Sequence, residues 1–196
     1  MLQSGYADQT EQRHIFKEIL RRMDDVGWMV GDLLDYTKPL AVKREDVRLL
    51  DPLERALFLL TLDASLQRTT ILRDYRCDPV LCANPNLLER VFLNLTLNAV
   101  QSMQFCGELT IRVSEVERSI AIAFAEKPSV MEKATREQIF GPFYSAKAGG
   151  SGIGLFLGRK YVEAHQGSIE VQTQHGLGSI CTVLLPRPVT APRAPL

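Results

Sequence analysis

Two asparagines and a cluster of glycines are the residues of this chain best placed to do chemistry. Asn94 and Asn98, in the run Asn94-Leu95-Thr96-Leu97-Asn98-Ala99, lie four apart, which puts both amides on one face of a helix. Side-chain oxygens so spaced can reach one hard cation, as a magnesium-nucleotide site needs. Further on, Gly149-Gly150-Ser151-Gly152-Ile153-Gly154-Leu155 leads into a helical pattern over Phe156–His165. Glycines before a helix let backbone N–H groups close on an anion, and the helix dipole adds partial positive charge, so a phosphate loop is the first reading. The P-loop does not fit, because no Lys-Ser or Lys-Thr follows the last glycine; nor does the dinucleotide fingerprint, because no hydrophobic strand precedes it. Taken singly, each feature has a plainer reading: polar decoration of a helix surface, or an ordinary turn.

The elements that must hold these residues follow from periodicity. Asp8–Tyr36 carries apolar residues at Ile15, Ile19, Met23, Val26, Val30 and Leu33, the three-and-four spacing of a helix that packs in a bundle or two-stranded coil. Pro39 stops it. Asp51-Pro52 is expected to cap a helix over Leu53–Gln67. Thr70–Tyr75 and Val80–Ala83 read as short strands, and Asn84-Pro85 opens a helix over Asn86–Met103. Glu108–Val116 and Ser119–Phe124 alternate across a turn at Glu117-Arg118, as a β-hairpin does. From Ala125 to Ala148 periodicity is lost, the usual place for a lid, with Ile139-Phe140 and Pro142-Phe143 as its apolar anchors. Ile169–Thr173 and Ser179–Leu185 form a second hairpin, and the proline-rich tail over 187–196 reads as disordered.

Composition narrows the classes. With 45% hydrophobic residues and 23 basic against 23 acidic ones, the chain is an ordinary globular one, not built all over for nucleic acid or anionic lipid. No apolar run reaches the roughly 18 residues of a membrane span, and the first residues form no signal peptide, so a cytoplasmic location is expected without membrane contact. Cys77, Cys82, Cys106 and Cys181 match neither a redox pair nor a zinc site and are expected to be buried, reduced thiols. His14, His165 and His175 are scattered, with no ligand spacing among them.

The order of these features resembles the ATP-binding catalytic domain of bacterial sensor histidine kinases, in the GHKL superfamily. Leu88 to Ala99 looks like its asparagine box and Ile139-Phe140-Gly141-Pro142-Phe143-Tyr144-Ser145-Ala146-Lys147 like its phenylalanine box. Gly150 to Leu155 looks like its second glycine box, and Val162-Glu163-Ala164-His165-Gln166-Gly167 with Gly176-Leu177-Gly178-Ser179 like its closing segment. Val30 to Pro39 resembles the end of the second helix of the dimerisation and phosphotransfer domain.

The resemblance implies a two-layer α/β sandwich of the GHKL (Bergerat) type, a mixed sheet with helices on one face. That domain would span 41–186, with the partial second helix of the dimerisation domain over 1–40. It implies ATP and Mg2+ as ligands, with Asn98 and Asn94 holding the metal, Gly150, Gly152 and Gly154 around the triphosphate, and Lys147 reaching the γ-phosphate. The partners implied are a phosphoacceptor histidine domain, a response regulator, and a second copy through the N-terminal helix. No counterpart of the phosphoacceptor histidine box is present, so these residues alone are expected not to autophosphorylate. At position 94 the ATP-hydrolysing relatives have a glutamate; asparagine cannot act as a base, which points to phosphoryl transfer.

One box departs from the pattern. Where the family has Asp-x-Gly-x-Gly beside adenine, spacing places Glu126-Lys127-Pro128-Ser129-Val130. Glu126 keeps the carboxylate on a longer arm, while Pro128 and Val130 replace both glycines and resist positive φ. This leaves two readings, a working kinase with a remodelled adenine pocket or a pseudokinase scaffold with weak or no ATP binding.

Overall fold

The computed structural model describes Phe16 and residues 42–61, 68–127, 140–141, 152–174 and 178–187. The chain divides into two compact units, Met1–Pro39 and Leu40–Leu196, and apart from Phe16 the described residues belong to the second. The helix expected over Asp8–Tyr36 thus lies outside them, Phe16 excepted. The elements are β1 (Glu45–Arg48), α1 (Leu50–Thr61), β2 (Thr69–Tyr75), β3 (Val80–Ala83), α2 (Pro85–Ser102), β4 (Gly107–Val116), β5 (Ser119–Lys127), α3 (Gly154–Ala164), β6 (Ser168–Gln174) and β7 (Gly178–Pro186).

Five strands form one mixed sheet in the order β2-β4-β5-β7-β6, with β2 and β4 parallel and every other pair antiparallel. Strands β1 and β3 form a separate antiparallel pair. Period-2 alternation builds the sheet's inner face: Leu109, Ile111 and Val113 of β4 and Ile120, Ile122 and Phe124 of β5 are buried, with Val183 and Leu185 of β7. Arg112 on the other face of β4 is exposed. The helices supply the second layer, α2 packing between α1 and α3 and reaching β4 and β5. This is the expected two-layer α/β architecture.

Helix α2 begins where Asn84 and Pro85 dictate. The Asn84 Oδ1 accepts the Leu87 N–H at 3.1 Å, and proline stands in the first turn, where no donor is missed. Leu88, Val91, Phe92, Leu95, Ala99 and Val100 then recur at helical spacing and are buried. Thr96, fully buried, satisfies its hydroxyl by donating to the Phe92 carbonyl at 2.8 Å.

Four expectations need correction. Helix α1 starts at Leu50, not Leu53, and Asp51 is not its cap: the Leu50 N–H is bound by Asp78 Oδ1 at 3.2 Å, from the β2–β3 connection, and Asp51 lies in the first turn, where the dipole favours it. The irregular stretch expected from Ala125 does not begin there, because Ala125, Glu126 and Lys127 complete β5 in register with β4. Pro186 closes β7, and Arg187 is fixed by its N–H to the Arg118 carbonyl at 2.9 Å and by its guanidinium to Glu115 at 2.7 Å. Finally, all four cysteines are free, but Cys82 and Cys106 are exposed: alternation in β3 turns Leu81 and Ala83 inward and Cys82 out.

Two ends of the helix layer meet at His165, which is 4% exposed. Its Nδ1–H donates to the Tyr161 carbonyl at 2.7 Å, and its Nε2 accepts the Asn84 N–H at 2.9 Å. The neutral ring thus closes α3 and holds the start of α2. Burial pushes the imidazole pKa below its ordinary value, against the Tyr161 bond and helped by the Arg44 charge. Because the folded value lies below the unfolded one, the contribution is complete above about pH 6.5 and is lost as pH falls through the folded value. The difference in unfolding free energy between the wild-type chain and His165→Gln should therefore shrink as pH is lowered from 7.5 to 5.5 in urea titrations.

Gly178 and Gly167 are among the glycines fixed by close approach. A Cβ on Gly178, whose φ is +124°, would lie 2.1 Å from the Glu126 carbonyl oxygen, and one on Gly167 would lie 2.3 Å from that of Leu184. Both obstacles are backbone, which cannot swing aside. Gly178→Ala should lower stability by about 2 kcal/mol, read as a fall in the urea midpoint without a change in slope.

Candidate functional site

The site is assembled along one side of α2. Residues four apart return to nearly the same side of a helix, drifting by roughly 40° at each step. Asn94, Asn98 and Ser102 follow that spacing, and each meets a different part of the site.

Asn94, half-buried, faces the first turn of α3. Its Nδ2 donates to the Gly154 carbonyl at 3.0 Å, which fixes the amide's orientation and directs Oδ1 away from that bond. A Cβ on Gly154 would make only ordinary van der Waals contact with the Asn94 side chain, 3.5 Å away. Gly152, at φ +63°, takes the left-handed turn that brings the chain into the helix. Ile153 at the N-cap has no side-chain acceptor, so the amides at this end are not capped by the residue that usually does so.

Asn98 lies one turn further on and lines a narrow, partly open cleft. Leu95 and Ala99 of α2, Phe124 of β5, Leu155 of α3 and Val171 of β6 give it apolar walls, and Phe140 stands at its side. Glu126, Ser179 and Cys181 add polar atoms. Such a lining, mostly apolar with a few fixed polar groups, suits a flat organic ring with a hydrogen-bonding edge. Phe140 is held from behind by the Arg159 guanidinium, 5.8 Å from its ring centre, and Arg159 is paired with Glu163 at 2.8 Å.

Glu126 is 5% exposed. Strand register puts it on the core-facing side, opposite Leu109 of β4 and Ser179 of β7. Its Oε2 accepts a hydrogen bond from the Ser102 hydroxyl, at the last turn of α2. Burial, reinforced by the negative charge of Glu126, pushes the neighbouring Cys181 thiol up to about 12, so this cysteine is an unreactive wall.

The expected site residues thus fall into three groups. Asn94 and Gly154 are in contact, with Gly152 two residues before; Asn98 and Glu126 share the cleft; Lys147 and Gly150 lie outside the described residues, as do Pro128 and Val130. Sequence reading missed Ser102. A serine four residues after Asn98 was the available signal, but only the fold brings it to Glu126.

A domain model described as histidine kinase-, DNA gyrase B-, and HSP90-like ATPase matches residues 83–189. The chain belongs to this family. Within it, the resemblance is to sensor histidine kinases: ZraS of Klebsiella oxytoca is 31% identical over 170 residues, covering 85% of this chain and 36% of that protein. The chain therefore spans little more than a third of that relative. The fold agrees. Full-length ShkA in complex with AMPPNP superposes with a TM-score of 0.74 at 20% identity, over 89% of this chain and 39% of that one. ThkA in complex with the response regulator protein TrrA gives 0.75 at 18% identity, over 92% and 52%. The described unit is a domain of this ATPase family with the fold seen in those histidine kinases, and its cleft lies between the helix layer and the sheet.

The bond from Asn94 to Gly154 is the direct link between α2 and the glycine turn. Asn94→Ala should cost about 1 kcal/mol of stability and raise amide hydrogen exchange selectively in the first turn of α3.

Proposed function

We propose that this domain binds ATP in the cleft and transfers its γ-phosphoryl group to a histidine on a phosphoacceptor domain, for onward transfer to a response regulator. The observation that carries the proposal is the stripe on α2, where Asn94 meets the glycine turn and Asn98 faces the cleft that holds Glu126. In this reading the base lies among Leu95, Phe124 and Leu155 with its polar edge toward Glu126. The triphosphate runs toward the start of α3, where Gly150, Gly152 and Gly154 give it backbone room, and Lys147 meets the γ-phosphate.

The donor set suits magnesium. Asn98, and Asn94 with its Oδ1 turned from Gly154, offer the neutral oxygens that a hard cation shares with phosphates. Magnesium, when bound, supplies positive charge against the triphosphate. The protein's own contribution is positioning: the asparagines and glycines hold the γ-phosphoryl in line for an incoming imidazole. Asn94 has no proton-accepting function comparable to a carboxylate, so water is not activated there and hydrolysis is disfavoured. Dimerisation through the residues of 1–40, whose apolar residues recur at helical spacing, and a cytoplasmic location complete the reading.

A fluorescent ADP analogue should bind the chain with magnesium present, and Asn98→Ala should weaken it by roughly tenfold or more. A supplied phosphoacceptor domain should become labelled from γ-labelled ATP. The absence of both binding and a magnesium-dependent thermal shift with ADP would sink the proposal.

A further inference from the structure

Glu126 is fixed at both ends, and only one of the fixings belongs to the sheet. Its backbone is pinned between β4 and β7, with Gly178 packed so closely that no side chain could stand there. Its carboxylate is held from the opposite layer by Ser102. Ser102 Oγ also lies 2.7 Å from the Ala99 carbonyl of the same turn, so its single proton is shared between that oxygen and Glu126 Oε2. A line of contacts therefore runs from the α2 backbone through Ser102 Oγ to Glu126 Oε2.

A glutamate carries three side-chain torsions, and holding its carboxylate at one place in a cleft costs conformational entropy that a shorter acid would not lose. A tether made before the ligand arrives removes that cost from binding and fixes the plane of the carboxylate. We propose that Ser102 is a positioning residue that makes Glu126 a reader of the base edge, so that the cleft selects a 6-amino purine over a 6-oxo purine. The inference rests on nucleotide binding in this cleft, as proposed above. Its chemistry follows from the acceptor-only nature of a carboxylate: opposite an exocyclic amine it gains a hydrogen bond, and opposite a carbonyl oxygen two acceptors face each other. A site built to bond an edge group rejects the analogue that lacks it far more strongly than a purely apolar pocket can. Ser102 needs no contact with the ligand for this.

The test is calorimetric titration of the 196-residue chain with ADP and with inosine diphosphate, both with magnesium. The wild-type chain should prefer ADP by about tenfold or more. Ser102→Ala should bring the ratio to within about threefold by weakening ADP while leaving inosine diphosphate unchanged. Ser102→Thr, which keeps the hydroxyl, should retain most of the preference, and Glu126→Gln, whose amide can also donate, should move it toward the oxo base. A merely structural role for Ser102 would weaken both nucleotides alike. A Ser102→Ala chain with the wild-type ratio, or a wild-type chain without a preference, overturns the inference and leaves nucleotide binding standing. A wild-type chain that binds neither nucleotide overturns both. Should Ser102→Ala fail to fold, the Thr and Gln variants decide: an unchanged ratio in Glu126→Gln overturns the inference.

Discussion

The period of a β-strand is the constraint from which the rest of this domain follows. In β5, Ile120, Ile122 and Phe124 must face the helices to build the core, and the same two-residue step carries Glu126 to that side. The carboxylate is therefore placed in the interior by the register that makes the interior. A carboxylate so placed must find hydrogen-bond donors, since an unsatisfied buried charge costs several kcal/mol. Ser102 supplies one from the helix layer. The sheet thus creates a requirement that α2 meets, and the meeting point is the floor of the cleft.

Helix α2 meets two other requirements with the same side. Its apolar residues recur at three and four and bind it to the sheet and to its neighbouring helices, while Asn94, Asn98 and Ser102 recur at four along the margin of that packed surface. The margin is where polar groups are dry enough to act strongly and near enough to solvent for a ligand to reach them. Because residues four apart drift around the helix, the three side chains fan out rather than stack: the first meets the start of α3, the second the cleft, the third the end of β5. One rigid element thereby sets the distance between the two ends of the site.

How far this was legible in the sequence depended on the range of the interaction. Local chemistry was readable: Asn84-Pro85 opened a helix because side-chain capping and proline geometry act within one turn, and both hairpins followed from alternation along their strands. Asn94 and Asn98 were readable as a pair because helical spacing is fixed. What failed was non-local. Asp51 had the right type and neighbour for a cap, but Asp78, 28 residues on from Leu50, reaches the Leu50 N–H instead. Ser102 and Glu126 lie 24 residues apart on different layers, and no periodicity links them. His165 was noted only as part of a closing segment, yet it joins α3 to the start of α2 across 81 residues.

The same distinction bears on the missing glycines. Pro128 and Val130 resist the backbone conformations that Gly permits, and from sequence alone that placed base binding in doubt. The carboxylate, however, belongs to β5 and precedes both positions, so its place is set by pairing with Leu109 and Ser179 rather than by the residues that follow. A strand holds a side chain more firmly than a loop does, since each residue is fixed by two neighbours. The Glu126 carboxylate can therefore keep its place while the residues beyond it change, provided that the longer acid is held. Ser102, on the element that also carries both asparagines, gives it one hydrogen bond from the helix layer.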